Sequence, residues 1–228
     1  QPVQRDGPDP QILLMMMRKR RGSKLLVFIL CLAPLLWLGW RAYDGRLTAN
    51  PIEFITHYTG DWTLRLIVAT LFITPLRKIF NWPNLIRYRR MIGLWAFFYG
   101  VLHFTTYIWL DKFFDLGDML KDIEKRKYIT VGFAAFVLMI PLAVTSTAGW
   151  IRRMGGKRWQ LLHRAIYITA ICGAIHYYWS VKSDIRDPVL YLSFVILLLA
   201  WRAKTRMMPD RRPASRPALP RTPETVSR

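Results

Sequence analysis

Apolar residues gather into six blocks separated by charged clusters: Leu25–Trp40, Trp62–Leu76, Met91–Leu110, Tyr128–Ala148, Trp159–Trp179 and Pro188–Trp201. Three of the blocks reach the ~20 residues that a helix needs to cross a hydrocarbon layer of ~30 Å. The other three extend into their flanks. The second can begin at Asn50-Pro51, a capping residue followed by proline in the first turn. The pattern predicts an all-α fold, a polytopic integral-membrane bundle of six transmembrane helices. Buried helices of soluble proteins rarely repeat continuous apolar runs of membrane length this often.

Charge placement tests that count. With six spans, segments 18–24, 77–90, 149–158 and 202–228 share one side of the membrane. Together they hold 22 Lys or Arg and two acids, Asp210 and Glu224. The loops 41–53, 111–127 and 182–187 hold nine basic and nine acidic residues. This is the positive-inside distribution, with both termini cytoplasmic. The net charge of +20 is thus a topology signal, with contact to anionic membrane lipid. No segment offers the groove with stacking aromatics that nucleic acid would want, so no nucleic-acid partner is expected.

Residues 1–24 read as a disordered, basic N-terminal lead, residues 25–205 as one six-helix domain, and residues 206–228 as a disordered cytoplasmic tail. Arg18–Arg21 before an apolar run resembles the start of a signal peptide, but no small-residue cleavage site follows, so the first helix is read as retained. Cys31 and Cys172 fall in mid-span and read as packing residues. Without Cys-x-x-Cys-His, covalent c-type haem attachment is not expected.

The chain has four histidines. His103, His163 and His176 lie within apolar blocks, where an ionisable group is costly and marks a candidate functional site. The roles open to them are metal or haem ligand, proton relay, and polar helix–helix contact. His57 lies at an interface, where a solvated histidine is ordinary. His163 and His176 stand 13 residues apart in "RWQLLHRAIYITAICGAIHYY", about 20 Å along a helix. That is too far to share one metal ion, whose ligands on a helix lie three to five residues apart. It suits two separate sites stacked across the membrane. Counting depth from Arg90 and from Arg158 puts His103 nearer in level to His176 than to His163. The count therefore pairs His103 with His176 as axial ligands of an outer haem. His163 falls to an inner site, where Arg89 and Arg90 occupy the level at which a symmetric design would place the opposing ligand. Arg65, four residues after Asp61, is a candidate for a haem propionate or for a simple ion pair. Arg164, beside His163, is a candidate for the same on the inner side, or for snorkelling to headgroups.

The runs Thr147-Ala-Gly-Trp-Ile-Arg-Arg-Met-Gly-Gly-Lys-Arg-Trp-Gln-Leu-Leu-His163, His57-Tyr-Thr-Gly…Leu-Phe-Ile-Thr-Pro-Leu-Arg77 and Arg89-Arg-Met-Ile-Gly-Leu…Leu-His103 resemble the MsrQ (YedZ) family. The resemblance covers about residues 25–205, and the wider relatives are ferric reductase-like transmembrane domains. It implies a haem-binding bacterial inner-membrane subunit. Such a subunit passes electrons from the quinone pool or a cytoplasmic flavin reductase to MsrP, a periplasmic molybdopterin enzyme that repairs oxidised methionines. It implies b-type haem, one or two per chain, and also FMN. Its ligand histidines carried onto this chain are His103, His163 and His176. The wider relatives carry two histidines on each of two helices, whereas the third block here has His103 alone. The competing readings are a self-contained reductase, which needs a flavin and nicotinamide domain that the short tail cannot hold, a di-haem cytochrome b of another quinone-linked oxidoreductase, and a transporter with proton-relaying histidines.

Overall fold

A computed structural model describes residues 10–207. The readings made for 1–9 and for the tail beyond 207 lie outside the described residues. Every element is helical: α1 Pro10–Tyr43, α2 Pro51–Ile79, α3 Ile86–Thr106, α4 Leu116–Lys125, α5 Lys127–Val144, α6 Ala148–Met154, α7 Gly156–Leu162, α8 Ala165–Ser180 and α9 Arg186–Met207. The described helices long and apolar enough to cross a membrane are Gly22–Tyr43, Pro83–Asp111, Lys127–Val144 and Arg186–Thr205. Helix α2 has the length but carries Asp61 and Arg65 in its middle. Helix α8 has 16 residues.

Side-chain contacts give the relative directions. The pairs Ser23–Arg87, Phe28–Trp95 and Cys31–Tyr99 advance together, so α1 and α3 are parallel. Thr56–Thr106, Gly60–His103 and Thr70–Gly93 run in opposite senses, so α2 and α3 are antiparallel. Tyr128–His176 and Thr145–His163 set α5 against α7 and α8 in the same way. Tyr177–Tyr191 and Tyr167–Arg202 do so for α8 and α9. The long helices therefore alternate in direction along the chain.

Local chemistry explains the ends. Asn50 caps α2 by accepting from the Glu53 backbone N–H, and Pro51 occupies the first turn, as its fixed φ favours. Helix α1 begins at Pro10, so helix runs through much of the stretch read as a disordered lead. Leu, Met, Arg and Lys between residues 13 and 20 are strong helix formers. The single run Trp159–Trp179 is two helices. The backbone tightens at Arg164 and Tyr167 to bonds three residues back, where the His163 ring stacks on Trp159 at 3.9 Å between centroids.

Between helices the contacts use small residues. Thr59, Ala96, Thr169, Ala170 and Ala174 are buried around Leu71, Tyr99 and Val195, which are fully buried. Lipid tails are as apolar as leucine, so close backbone approach and interhelical hydrogen bonds must hold such a bundle. Tyr99 donates to the Cys31 carbonyl at 2.9 Å. Tyr58 donates to that of Pro34 at 3.0 Å.

The loop 111–127 contains an element that the span count does not foresee. Phe113 and Phe114 take left-handed φ values of 46° and 63° and turn the chain back after α3. Asp115 then caps α4. Leu116, Met119, Leu120 and Ile123 line one face of α4, and they form part of the wall of a cavity described below. Asp122, on the same helix, is buried, with Lys112 Nζ at 2.6 Å, Arg126 Nε at 3.3 Å and the Tyr107 hydroxyl at 3.3 Å. Lys112 also reaches Asp118 at 2.7 Å.

The Asp118 and Asp122 carboxylates push the Lys112 ammonium above its ordinary range. Lys112 in turn holds the Asp118 carboxyl below its own. The depressed Asp118 contributes stability above the ordinary carboxylate pKa of about 4, lost as pH falls through its folded value. The raised Lys112 contributes below about 10.4, lost as pH rises through its folded value. Helix α4 should therefore be held tightest across the neutral range. Hydrogen–deuterium exchange, corrected for its intrinsic pH dependence, should show α4 amides losing protection below about pH 4. At neutral pH, Lys112→Met should speed their exchange at least about tenfold, because it leaves the buried Asp122 short of a partner.

Candidate functional site

Helices α2, α3, α5 and α8 enclose a cavity of about 780 Å³, with α4 across one end. His103 from α3 and His176 from α8 both line it, with ring centroids 6.0 Å apart. The two residues that the depth count pairs are thus neighbours. The count works because α3 and α8 run in the same sense.

Each ring is oriented by the same local device. His103 Nδ1 lies 2.8 Å from the Thr56 carbonyl oxygen. His176 Nδ1 lies 2.7 Å from that of Tyr128. A carbonyl can only accept, so both Nδ1 atoms carry the proton and both Nε2 atoms keep a lone pair. These carbonyls belong to helices, in which each also faces the N–H four residues on. The residue four on is Gly60 in α2 and Gly132 in α5. A methyl on Gly60 would stand 3.0 Å from His103 Cε1, and one on Gly132 only 2.5 Å from His176 Nδ1. The missing Cβ is what opens the second lone pair of each carbonyl to a histidine from the facing helix. Gly60 stands in the quoted Tyr58-Thr-Gly60, but the role of a glycine one turn after the acceptor shows only once the facing helix is in place. A mid-helix glycine in a costly apolar run is the signal that could have flagged Gly132.

The arrangement fits a haem. Two metal–imidazole bonds of about 2 Å, with the reach from each nitrogen to its ring centre, span about 6 Å. An imidazole that donates its other N–H to a carbonyl is the usual form of a metal-bound histidine. The cavity lies within the range of cofactor sites, roughly 300–1,000 Å³. Among the described residues no three His, Cys, Asp or Glu side chains group around a point. A metal that brings most of its ligands in a ring needs only the two.

The other sequence candidates lie elsewhere. His163 is not on the cavity wall. The Thr145 hydroxyl donates to the Pro141 carbonyl at 2.6 Å, so His163 Nε2, 3.0 Å away, donates to Thr145 Oγ1. Arg89 is half-buried. It lies near His163, Tyr167 and Arg202, and Arg202 donates to the Tyr167 hydroxyl. Arg65 turns to α9, where Nε donates to the Tyr191 hydroxyl at 3.0 Å, and it stays 4.0 Å from Asp61. Arg164 is exposed at the break between α7 and α8. His57 is exposed at the cavity rim, 3.9 Å from Glu53. The arginine that does line the cavity is Arg126, beside α4, a residue that the charge count placed only in a loop.

Residues 59–174 match the family described as ferric reductase like transmembrane component. The chain is also similar to the protein-methionine-sulfoxide reductase heme-binding subunit MsrQ of three bacteria. With that of Herminiimonas arsenicoxydans it shares 51% identity over 191 residues, 80% of this chain and 88% of the relative. With that of Caulobacter vibrioides it shares 47% over 192 residues, 81% and 91% of the two chains. With that of Rhodospirillum rubrum it shares 50% over 182 residues, 80% and 88%. No solved structure matches. Helical architecture, matched segment and identity over most of both chains agree: the chain belongs to the ferric reductase-like transmembrane family and, within it, to the MsrQ subunits.

Proposed function

We propose that this chain is the membrane subunit of a methionine sulfoxide reductase system, binding b-type haem between His103 and His176. In this reading it moves electrons from the quinone pool or a cytoplasmic flavin reductase across the inner membrane to a periplasmic MsrP-like molybdoenzyme. The observation that carries the reading is the facing pair of histidines, each with Nδ1–H committed to a carbonyl and Nε2 left to coordinate. The names of the relatives support haem as the ligand.

Haem bound there would supply one-electron cycling of its iron. The chain's own part is to hold it. His103 and His176 would hold it through Nε2, whose basicity the Thr56 and Tyr128 carbonyls raise. Gly60 and Gly132 let the rings lie against α2 and α5. The apolar face of α4 covers one end of the cavity, where Arg126, paired with Asp122, also lines the wall. Neither proton transfer nor substrate chemistry falls to these residues.

Residues 25–205 are read as one membrane domain of six spans, formed by α1, α2, α3, α5, α7–α8 and α9. Their alternating directions and the excess of Lys and Arg on one side support this, with both termini cytoplasmic. Helix α4 and Arg126 then lie toward the periplasm, where the acceptor would dock. Arg89, His163, Tyr167 and Arg202 lie toward the cytoplasmic face.

His103→Ala and His176→Ala should each abolish the same reducible b-type Soret and α bands of protein expressed with ample haem. His163→Ala should leave those bands in place. Persistence of the bands in either of the first two variants would overturn the pairing. Gly132→Ala should weaken haem retention about 10- to 100-fold, the usual cost of disturbing a residue that orients a ligand. Gly60→Ala should do less, because its methyl meets a looser contact. Helix propensity alone would make both changes stabilising by about 1 kcal/mol, so a retained spectrum with a higher melting temperature is the result against the device.

A further inference from the structure

Away from the histidine cavity, α1 and α3 frame a second hollow, of about 520 Å³. Its lining is polarised along the helix axes. Lys24, Arg87 and Arg90 stand at one end, and no acid is among the lining residues. One turn further, about 6 Å along the axis, come Phe28 and Leu94. Trp95 packs edge-on against Phe28 at 5.1 Å between centroids. Phe98 follows a turn after Leu94, and Phe28, Leu94 and Phe98 all remain exposed on the outside of the bundle. Arg87 is positioned by donating to Ser23 at 2.9 Å and to the Tyr88 hydroxyl at 2.6 Å, while its Nε is buried without a partner. Lys24 and Arg90 are exposed at the rim. Because α1 and α3 are parallel, the cations of both fall at one level, and the apolar residues of both continue from it in the same direction.

A cationic cup that opens into an apolar groove along the outside of a membrane bundle matches one kind of molecule, an anionic amphiphile with its chain beside the protein. We propose that this groove is a binding site for an anionic phospholipid of the leaflet that carries Lys24, Arg87 and Arg90. The headgroup phosphate meets the three cations, and an acyl chain runs along Phe28, Leu94 and Phe98. Basic pockets between membrane helices recognise anionic headgroups by this chemistry. A neutral quinone would fit the apolar wall but leaves three cations without use. The proposal rests on the reading of α1 and α3 as membrane spans, and it does not depend on haem.

The test is native mass spectrometry of the full chain in detergent, titrated with phosphatidylglycerol, with phosphatidylcholine, with a ubiquinone and with inorganic phosphate. Phosphatidylglycerol should form a discrete one-to-one adduct at concentrations at which the other three do not. Arg90→Gln should weaken it about fivefold and Lys24→Gln with Arg90→Gln about 25-fold, since each cation near a charged membrane surface contributes about that factor. Both residues are exposed, so the fold should survive, as far-ultraviolet circular dichroism would verify. Leu94→Trp, which fills the groove and keeps every charge, should also lose the adduct. Equal binding of phosphatidylcholine or quinone would overturn the proposal. So would inorganic phosphate binding as tightly as the lipid, or a double variant that binds as the parent does. Haem bands unchanged in all three variants would separate a failure here from a failure of the histidine site.

Discussion

The structure turns on a proton that must be placed. An imidazole inside an apolar bundle can offer one nitrogen to a metal only if the N–H on the other is satisfied, because no water is at hand. Thr56 and Tyr128 satisfy it with carbonyls that already serve their own helices. That double use is possible only where the residue one turn on lacks a Cβ. It requires α3 to lie against α2 at Gly60, and α8 against α5 at Gly132. The small residues between α2 and α3, Thr63 against Gly100 and Thr70 against Gly93, keep the same close approach along the rest of that pair. The packing of the bundle and the tautomers of its two central histidines are one problem with one solution.

Much of this is legible in the chain. Continuous apolar runs locate the long helices, because in a membrane nearly every exposed position must be apolar whatever its face. Asn50-Pro51 opens α2 where capping chemistry says it should. Residue counting brings His103 to the level of His176, since rise per residue is nearly constant in a helix. What escapes depends on facing surfaces. The break at His163 comes from a ring held by Trp159 and Thr145, and nothing in the run of residues announces it. Helix α4 is too short and too charged to register as a span, though Leu116, Met119, Leu120 and Ile123 show its period once it is sought. The glycine device joins residues 47 and 48 positions apart and has no local signature.

Opposite ends of the bundle solve charge differently. Beyond α3, acids and bases are equal in number, and ion pairs among Lys112, Asp118, Asp122 and Arg126 knit α4 to its neighbours. At the other end the bases have few acids to meet. Arg202 is instead held by neutral oxygens, donating to the Thr74 hydroxyl at 2.6 Å and to Tyr167. A cation bonded only to neutral groups keeps its full charge for whatever approaches. One end of the molecule is thus electrostatically closed and the other open.

The tightened turn at Arg164 also sets a length. Helix α8 has 16 residues and its partner α5 has 18, about 24 and 27 Å, against ~30 Å of hydrocarbon. Helix α7, with seven residues ahead of the turn, adds the length that α8 lacks. The span is thus completed in two pieces, and the joint between them lies at His163.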